Sequence, residues 1–293
     1  MVQRFCVCLF LTVSLAVVGC APSVAPPTVD VTFQPMRDFV KDESQVAPQE
    51  ENVIGRGVTA KLLGVYSPSD SPVLSAYINQ VGATVAAASL RPETFAGYSF
   101  LPIESDELNA MAAPGGYILI SRGLLKLLRD EDMLAAVLAH EVSHVVLRHG
   151  LQSIKREHLN ESTPLDDSVP LGAALTTCAI NCNDVSQQLL LAFEGAINDI
   201  VEKLTVAGYS REQELQADAM AAEILEKAGY DPTALKHVLD ALAQRTSKGG
   251  WFSTHPKAKD RASALSKLRK AEPQVNANFQ ARKNRFRKMT KSV

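Results

Sequence analysis

Ala139-His140-Glu141-Val142-Ser143-His144 sets two imidazoles four residues apart, with a carboxylate directly after the first. The run from Met133 to about His149 is rich in Ala, Leu and Val at helical spacing. It follows Asp130-Glu131-Asp132, and acidic residues favour the positive end of a helix. Residues four apart share one helical face, so His140 and His144 point the same way. Met133, Val137 and Val145 supply an apolar stripe, while Ala135, Ala136 and Ala139 permit close packing, so this helix is expected to be buried. Isolated imidazoles are costly in a core, and a shared divalent metal would satisfy both. Glu141 then stands where a carboxylate can take a proton from water.

The motif turns up by accident in roughly one such sequence in a hundred, so a third ligand is needed to make it strong; a catalytic zinc usually takes three protein groups. His149 follows His144 by five residues, which on a continuous helix turns it off the ligand face. It is read as a surface residue, as is His158. The better source is Ser210-Arg211-Glu212-Gln213-Glu214-Leu215-Gln216-Ala217-Asp218, an Ala-rich helix start in which Glu214 and Asp218 share a face. Glu214 can complete a set of two imidazoles and one carboxylate, and Asp218 can accept a hydrogen bond from a ligand imidazole. A plainer reading has Ser210 as the helix cap and the acids serving the helix dipole.

The N-terminus speaks to location. Arg4 precedes an apolar stretch from Phe5 to Val18, too short to read as a comfortable span, and Gly19-Cys20 follows. Val17-Val18-Gly19-Cys20 resembles a bacterial lipobox, so 1–19 is expected to be a signal peptide and Cys20 a lipidated residue; an ordinary export signal or a membrane anchor with an incidental Cys is the alternative. Ala21 after the Cys resembles lipoproteins sent to the outer membrane of Gram-negative bacteria, facing the periplasm. Residues 20–50 carry Pro22, Pro26, Pro27, Pro35 and Pro48 without periodicity and read as a tether. A formal net charge of −2 gives no reason to expect nucleic acid as a partner. Cys178 and Cys182 are the two thiols left in the body, and in an oxidising compartment they can pair or stay free.

An α+β chain is expected, mostly helical, with a small antiparallel sheet ahead of the motif helix. Residues 95–102, 108–112 and 117–120 read as strands, the last two joined through Pro114-Gly115-Gly116. Ser71 can cap a helix over 72–88, and further helices are expected from Ser121, within 185–206 and over 232–244. The folded domain is placed at 51–270. Residues 271–293, with Arg282, Lys283, Arg285, Arg287, Lys288 and Lys291 and no acid after residue 272, are expected to be a solvated, disordered basic tail.

Taken together, Asn109-Ala110, Pro114-Gly115-Gly116-Tyr117-Ile118, Ser121-Arg122-Gly123-Leu124-Leu125, the His140–His144 motif, the Ser210–Asp218 segment, and Ser253-Thr254-His255-Pro256 with Arg261 resemble, in order, the M48 family of zinc metallopeptidases, the HtpX-like group. The likeness runs from about residue 70 to 268. Met111, where an aromatic is more usual, and the region around Cys178 and Cys182 depart from the family pattern. The resemblance implies a zincin-like fold and one catalytic zinc ion held by His140, His144 and Glu214, with Glu141 as general base. It also makes His255 a candidate donor to the developing oxyanion, with fixing the loop as an equally reasonable role. Arg211 and Arg261 are candidates to orient Glu214 or Asp218.

The absence of several long apolar segments makes the chain similar to the lipoprotein members of the family, which take part in outer-membrane protein quality control. Unfolded or misassembled polypeptides are the implied substrates, with Asn109 and Ala110 on a strand edge able to pair with an extended peptide, although the same residues can equally be interior sheet. The segment 149–185 reads as a lid over the cleft. A competing class is a noncatalytic chaperone or assembly adaptor with a structural metal, against which Glu141 weighs. Oligomeric state is not legible.

Overall fold

The computed structural model describes residues 46–154, 193–245, 254–255, 258–268, 278–291 and 293. The expected signal peptide with Cys20, the expected tether up to residue 45, and the segment carrying Cys178 and Cys182 lie outside these residues, as does most of the expected lid. The end of the expected tether is ordered instead: a helix begins at Pro48, and Val46 and Glu50 are buried.

The motif helix is the centre of the molecule. It spans Glu131–Val146 (α4, after α1 Pro48–Leu63, α2 Pro72–Ala87 and α3 Arg122–Leu127). Asp130 caps α4 by accepting from Met133 N at 3.0 Å, and every residue from Glu131 through Val145 is buried. The helices that follow are α5 (Glu194–Glu202), α6 (Arg211–Lys227), α7 (Ala234–Ala243), α8 (Ala258–Leu268) and α9 (Phe279–Met289). α6 packs along α4, and both helices carry buried alanines, Ala135, Ala136 and Ala139 on α4 and Ala217 and Ala221 on α6. Small side chains let the two backbones approach, which is what brings groups on both helices to one point.

The sheet has the order β1 (Ser99–Ile103), β3 (Tyr117–Ser121), β2 (Ala110–Ala113). β2 and β3 are antiparallel, with Ala110 opposite Ile120, but β1 runs parallel to β3, with Ser99 opposite Tyr117. The sheet is therefore mixed rather than wholly antiparallel. The cause is visible in the 104–109 connection: Ser121 Oγ accepts from Asn109 N at 3.0 Å and donates to Glu107 O at 2.6 Å, and Gly123 N donates to Ser105 O at 2.8 Å. Those bonds fold the connection over the end of β3, so that β3 takes the place beside β1.

Alternation along the strands divides the interior in two. Phe100, Ala110, Ala112, Ile118 and Ile120 join the core of α2, α4, α6 and α7, whereas Ile103, Met111, Ala113 and Leu119 face a second cluster built on α1 and α5. Helical layers cover both faces, which is why these short strands are apolar throughout.

The C-terminal segment differs from expectation. Residues 279–289 form a helix whose Phe286 enters the main core. Arg282 grips Asp132 twice, Nε to Oδ2 at 3.0 Å and Nη2 to Oδ1 at 2.8 Å, and Arg285 pairs with Glu131. Buried acids at the start of α4 thus give the basic run an ordered partner that composition does not reveal. Among the described residues no helix is long and apolar enough to cross a membrane.

Candidate metal centre

His140 and His144, one turn apart on α4, turn their Nε2 atoms toward each other at 3.1 Å. Glu214 arrives from α6, whose start is fixed by a reciprocal cap in which Ser210 Oγ accepts from Gln213 N and Gln213 Oε1 accepts from Ser210 N. Its Oε2 lies 3.6 Å from His140 Nε2 and its Oε1 3.6 Å from His144 Nε2. Ligands about 2.0–2.2 Å from a tetrahedral zinc lie about 3.3–3.6 Å apart, and the separations here, 3.1 Å between the nitrogens and 3.6 Å from each nitrogen to one oxygen of Glu214, are close to that spacing. His255 is the fourth member: its Nδ1 is 2.9 Å from Glu214 Oε1 and 3.4 Å from His140 Nε2, and the four groups offer ligand atoms all within 4.8 Å of one another.

The surroundings hold these groups in ligating form. His140 Nδ1 lies 3.1 Å from Asp218 Oδ1, which leaves Nε2 to the cluster. Asp218 is fixed in turn by Arg261, Nε to Oδ2 at 2.8 Å and Nη2 to Oδ1 at 2.6 Å, while Arg261 Nη1 stands 2.5 Å from Glu214 Oε2. His144 Nδ1 meets His149 Nδ1 at 2.9 Å, and Tyr209 stacks on the His144 ring at 4.1 Å between centroids.

Burial alone would raise both carboxylates of α6. The charges of His255 and Arg261 reverse this for Glu214, and Arg261 and His140 do so for Asp218, so both are held below their ordinary range. Burial lowers His144 well below an ordinary imidazole, reinforced by His140 and His255, so it is kept neutral, the form that can ligate. Glu141 goes the other way: burial raises it against the pull of His255 and His140. Burial would lower His255, but Glu214 outweighs it and the imidazole is raised.

His140, Glu141, His144, Glu214, Asp218, His255 and Arg261 are thus brought together as the sequence indicated. Arg211 is not: it is exposed at the first turn of α6, and the guanidinium on the two acids is that of Arg261 on α8. His149 corrects the reading in the other direction, since it is 1% exposed and touches His144. The helix does not continue to it. α4 ends at Val146, Arg148 takes a left-handed conformation (φ 55°), and His149 N donates to His144 O at 3.0 Å, so the chain doubles back beneath the motif. Asn109 and Ala110 lie on or beside β2, an edge strand by sheet order, but both are buried.

A buried helix bearing His-Glu-x-x-His, joined by a carboxylate from a second helix, defines a metallopeptidase site. The chain belongs to peptidase family M48, whose profile matches residues 72–269. It is 27% identical to the beta-barrel assembly-enhancing protease of Escherichia coli (strain K12), over 77% of this chain and 45% of that protein. It is 28% identical to the protein of that name from Yersinia pestis, over 71% and 42%, and 30% identical to the mitochondrial metalloendopeptidase OMA1 of Schizosaccharomyces pombe, over 52% and 41%. The chain spans less than half the length of these relatives.

Proposed function

We propose that this protein is a zinc-dependent endopeptidase that hydrolyses peptide bonds in unfolded or misassembled proteins of the cell envelope, with Glu141 as general base. The observation that carries the reading is Glu141 itself. Both of its carboxylate oxygens are buried without a hydrogen-bond partner, beside the four groups His140, His144, Glu214 and His255 that can offer ligand atoms to a metal. A carboxylate in that state is expensive, and a site that held metal only for structure would have no use for it.

His140, His144 and Glu214 would hold the ion, which supplies Lewis acidity toward water and the scissile carbonyl. Glu141 accepts the proton of the attacking water and returns it to the departing amine; its raised pKa brings it nearer the working pH, where a general base is most effective. His255 Nε2, 3.7 Å from Glu141 Oε1, lies on the reacting side, and its raised pKa favours the charged form that can donate to an oxyanion. Asp218 and Arg261 hold His140 and Glu214 in place.

The envelope assignment rests on Val17-Val18-Gly19-Cys20 and on the names of the bacterial relatives. It places the protein on the outer membrane of a Gram-negative bacterium, anchored through lipid on Cys20 and facing the periplasm. The test compares purified wild type with Glu141→Gln for bound zinc and for cleavage of a casein-like unfolded substrate. Both are expected to carry one zinc, with cleavage by the variant down by about 10²–10⁴-fold. Equal cleavage by the two rejects Glu141 as the base.

A further inference from the structure

We infer that His149 is a positioning residue for the metal centre: with Gln216 it fixes the tautomer of His144 so that His144 Nε2 keeps its lone pair for the ion. This rests on the proposed zinc site and adds to it a part that the His-Glu-x-x-His motif does not contain.

Gln216 Oε1, on α6, is 3.2 Å from His149 Nε2 and can only accept, so Nε2 of His149 carries the ring proton and its Nδ1 presents a lone pair. That lone pair faces His144 Nδ1 at 2.9 Å, so His144 must carry its own proton on Nδ1. His144 Nε2 is then unprotonated, 3.1 Å from His140 Nε2 and 3.6 Å from Glu214 Oε1. The two ligand imidazoles are therefore anchored differently, His140 by the charged Asp218 and His144 by a neutral imidazole backed by an amide. Both rings are shielded from bulk solvent, His144 and His149 each being 1% exposed.

The backbone gives independent support. Arg148 holds the single left-handed conformation of a non-glycine residue among the described residues. An L side chain adopts it only at an energetic cost. That conformation is what reverses the chain and delivers His149 to His144, so a strained turn is maintained where the relay needs one. Tyr209, stacked on His144 with 15° between the ring planes and 5.8 Å from the His149 ring, keeps the two imidazoles from rotating apart.

The test uses the whole mature protein and two readouts besides cleavage: zinc affinity, by competition with a chromogenic chelator, and the ¹⁵N shifts of the His144 ring in zinc-free protein. His149→Ala is expected to bind zinc about 10–100-fold more weakly. His149→Gln, which keeps an acceptor and a donor, should recover much of that loss. Gln216 is exposed, so Gln216→Ala should fold, bind zinc several-fold more weakly and show His144 as a mixture of tautomers. Wild-type affinity in both His149→Ala and Gln216→Ala overturns the relay, as does His144 protonated on Nε2 in the zinc-free wild type. Glu214→Ala separates the two levels. Tight zinc binding by that variant sinks the metal centre itself, whereas loss there with no loss in His149→Ala sinks the relay alone.

Discussion

Asp218 accepts from His140 on one side and from Arg261 on the other, at 3.1 Å and 2.6 Å through the same oxygen. One carboxylate thereby ties an α4 ligand to α8 without touching the ion's place. Asp218→Ala should weaken zinc about 10–100-fold by freeing the His140 ring. It should also destabilise the zinc-free protein by about 3 kcal/mol, because Arg261, 2% exposed, keeps Glu214 as its remaining acid. Chelator competition and urea unfolding read the two effects. If zinc affinity is unchanged while stability falls, Asp218 serves packing alone.

Metal removal should unsettle the core as well as stop the chemistry. The four groups that meet at the centre are buried, and in the zinc-free protein the desolvation of the His140 and His144 ring nitrogens has no ion to offset it. Free zinc at 1,000 times its Kd stabilises a folded state by about 4 kcal/mol. A chelator should therefore lower Tm by several degrees, and zinc should restore it in wild type and not in Glu214→Ala. A Tm indifferent to chelator in the wild type would count against a bound ion.

The parts of this centre that were legible in the sequence are those carried by regular helices. Four-residue spacing puts His140 with His144 and Glu214 with Asp218 wherever those helices lie, and Ala-rich faces announce close packing between them. His149 was illegible because its place depends on the helix stopping and on Arg148 adopting a left-handed turn that ordinarily belongs to glycine. The choice of Arg261 over Arg211 is tertiary: Arg211 is near Glu214 in sequence, but at the first turn of α6 it is exposed. The parallel pairing of β1 with β3 hangs on Ser121 and Gly123 capturing a loop, for which strand patterns carry no signal. The basic C-terminal run looked disordered because its acids, Glu131 and Asp132, lie about 150 residues earlier.

Those acids open α4, so the C-terminal helix should brace the metal-bearing one. Asp132 is 2% exposed and accepts from Arg282 twice and from Asp231 N at 2.9 Å. Arg282→Ala leaves that charge buried with one neutral donor, which should cost about 3–5 kcal/mol. Arg287, exposed on the same helix, should tolerate Ala within about 0.5 kcal/mol. Hydrogen exchange over 279–289 should rise in the first variant and not the second. Equal protection in both would show that α9 stays docked without Arg282.

Gly55 sets how closely α1 approaches the turn between β2 and β3. A Cβ built there would stand 1.9 Å from Pro114 O and 2.8 Å from Pro114 C. The obstacle is backbone, and it is held in place, since Gly115 N donates to Glu51 Oε1 at 3.0 Å and Tyr117 Oη donates to Asn52 Oδ1 at 2.7 Å. Gly55→Ala gains up to about 1 kcal/mol of helix propensity. Overpacking costs about 1–3 kcal/mol and more where neither side can yield, so the net change should be a loss of at least about 1 kcal/mol in urea unfolding. The disturbance should spread inward, because α1 contacts β2, and both β2 and this turn contact α4. Weaker zinc binding together with lower stability in Gly55→Ala is therefore expected. Lower stability with unchanged zinc affinity would show that α4 and α6 hold the centre without support from α1.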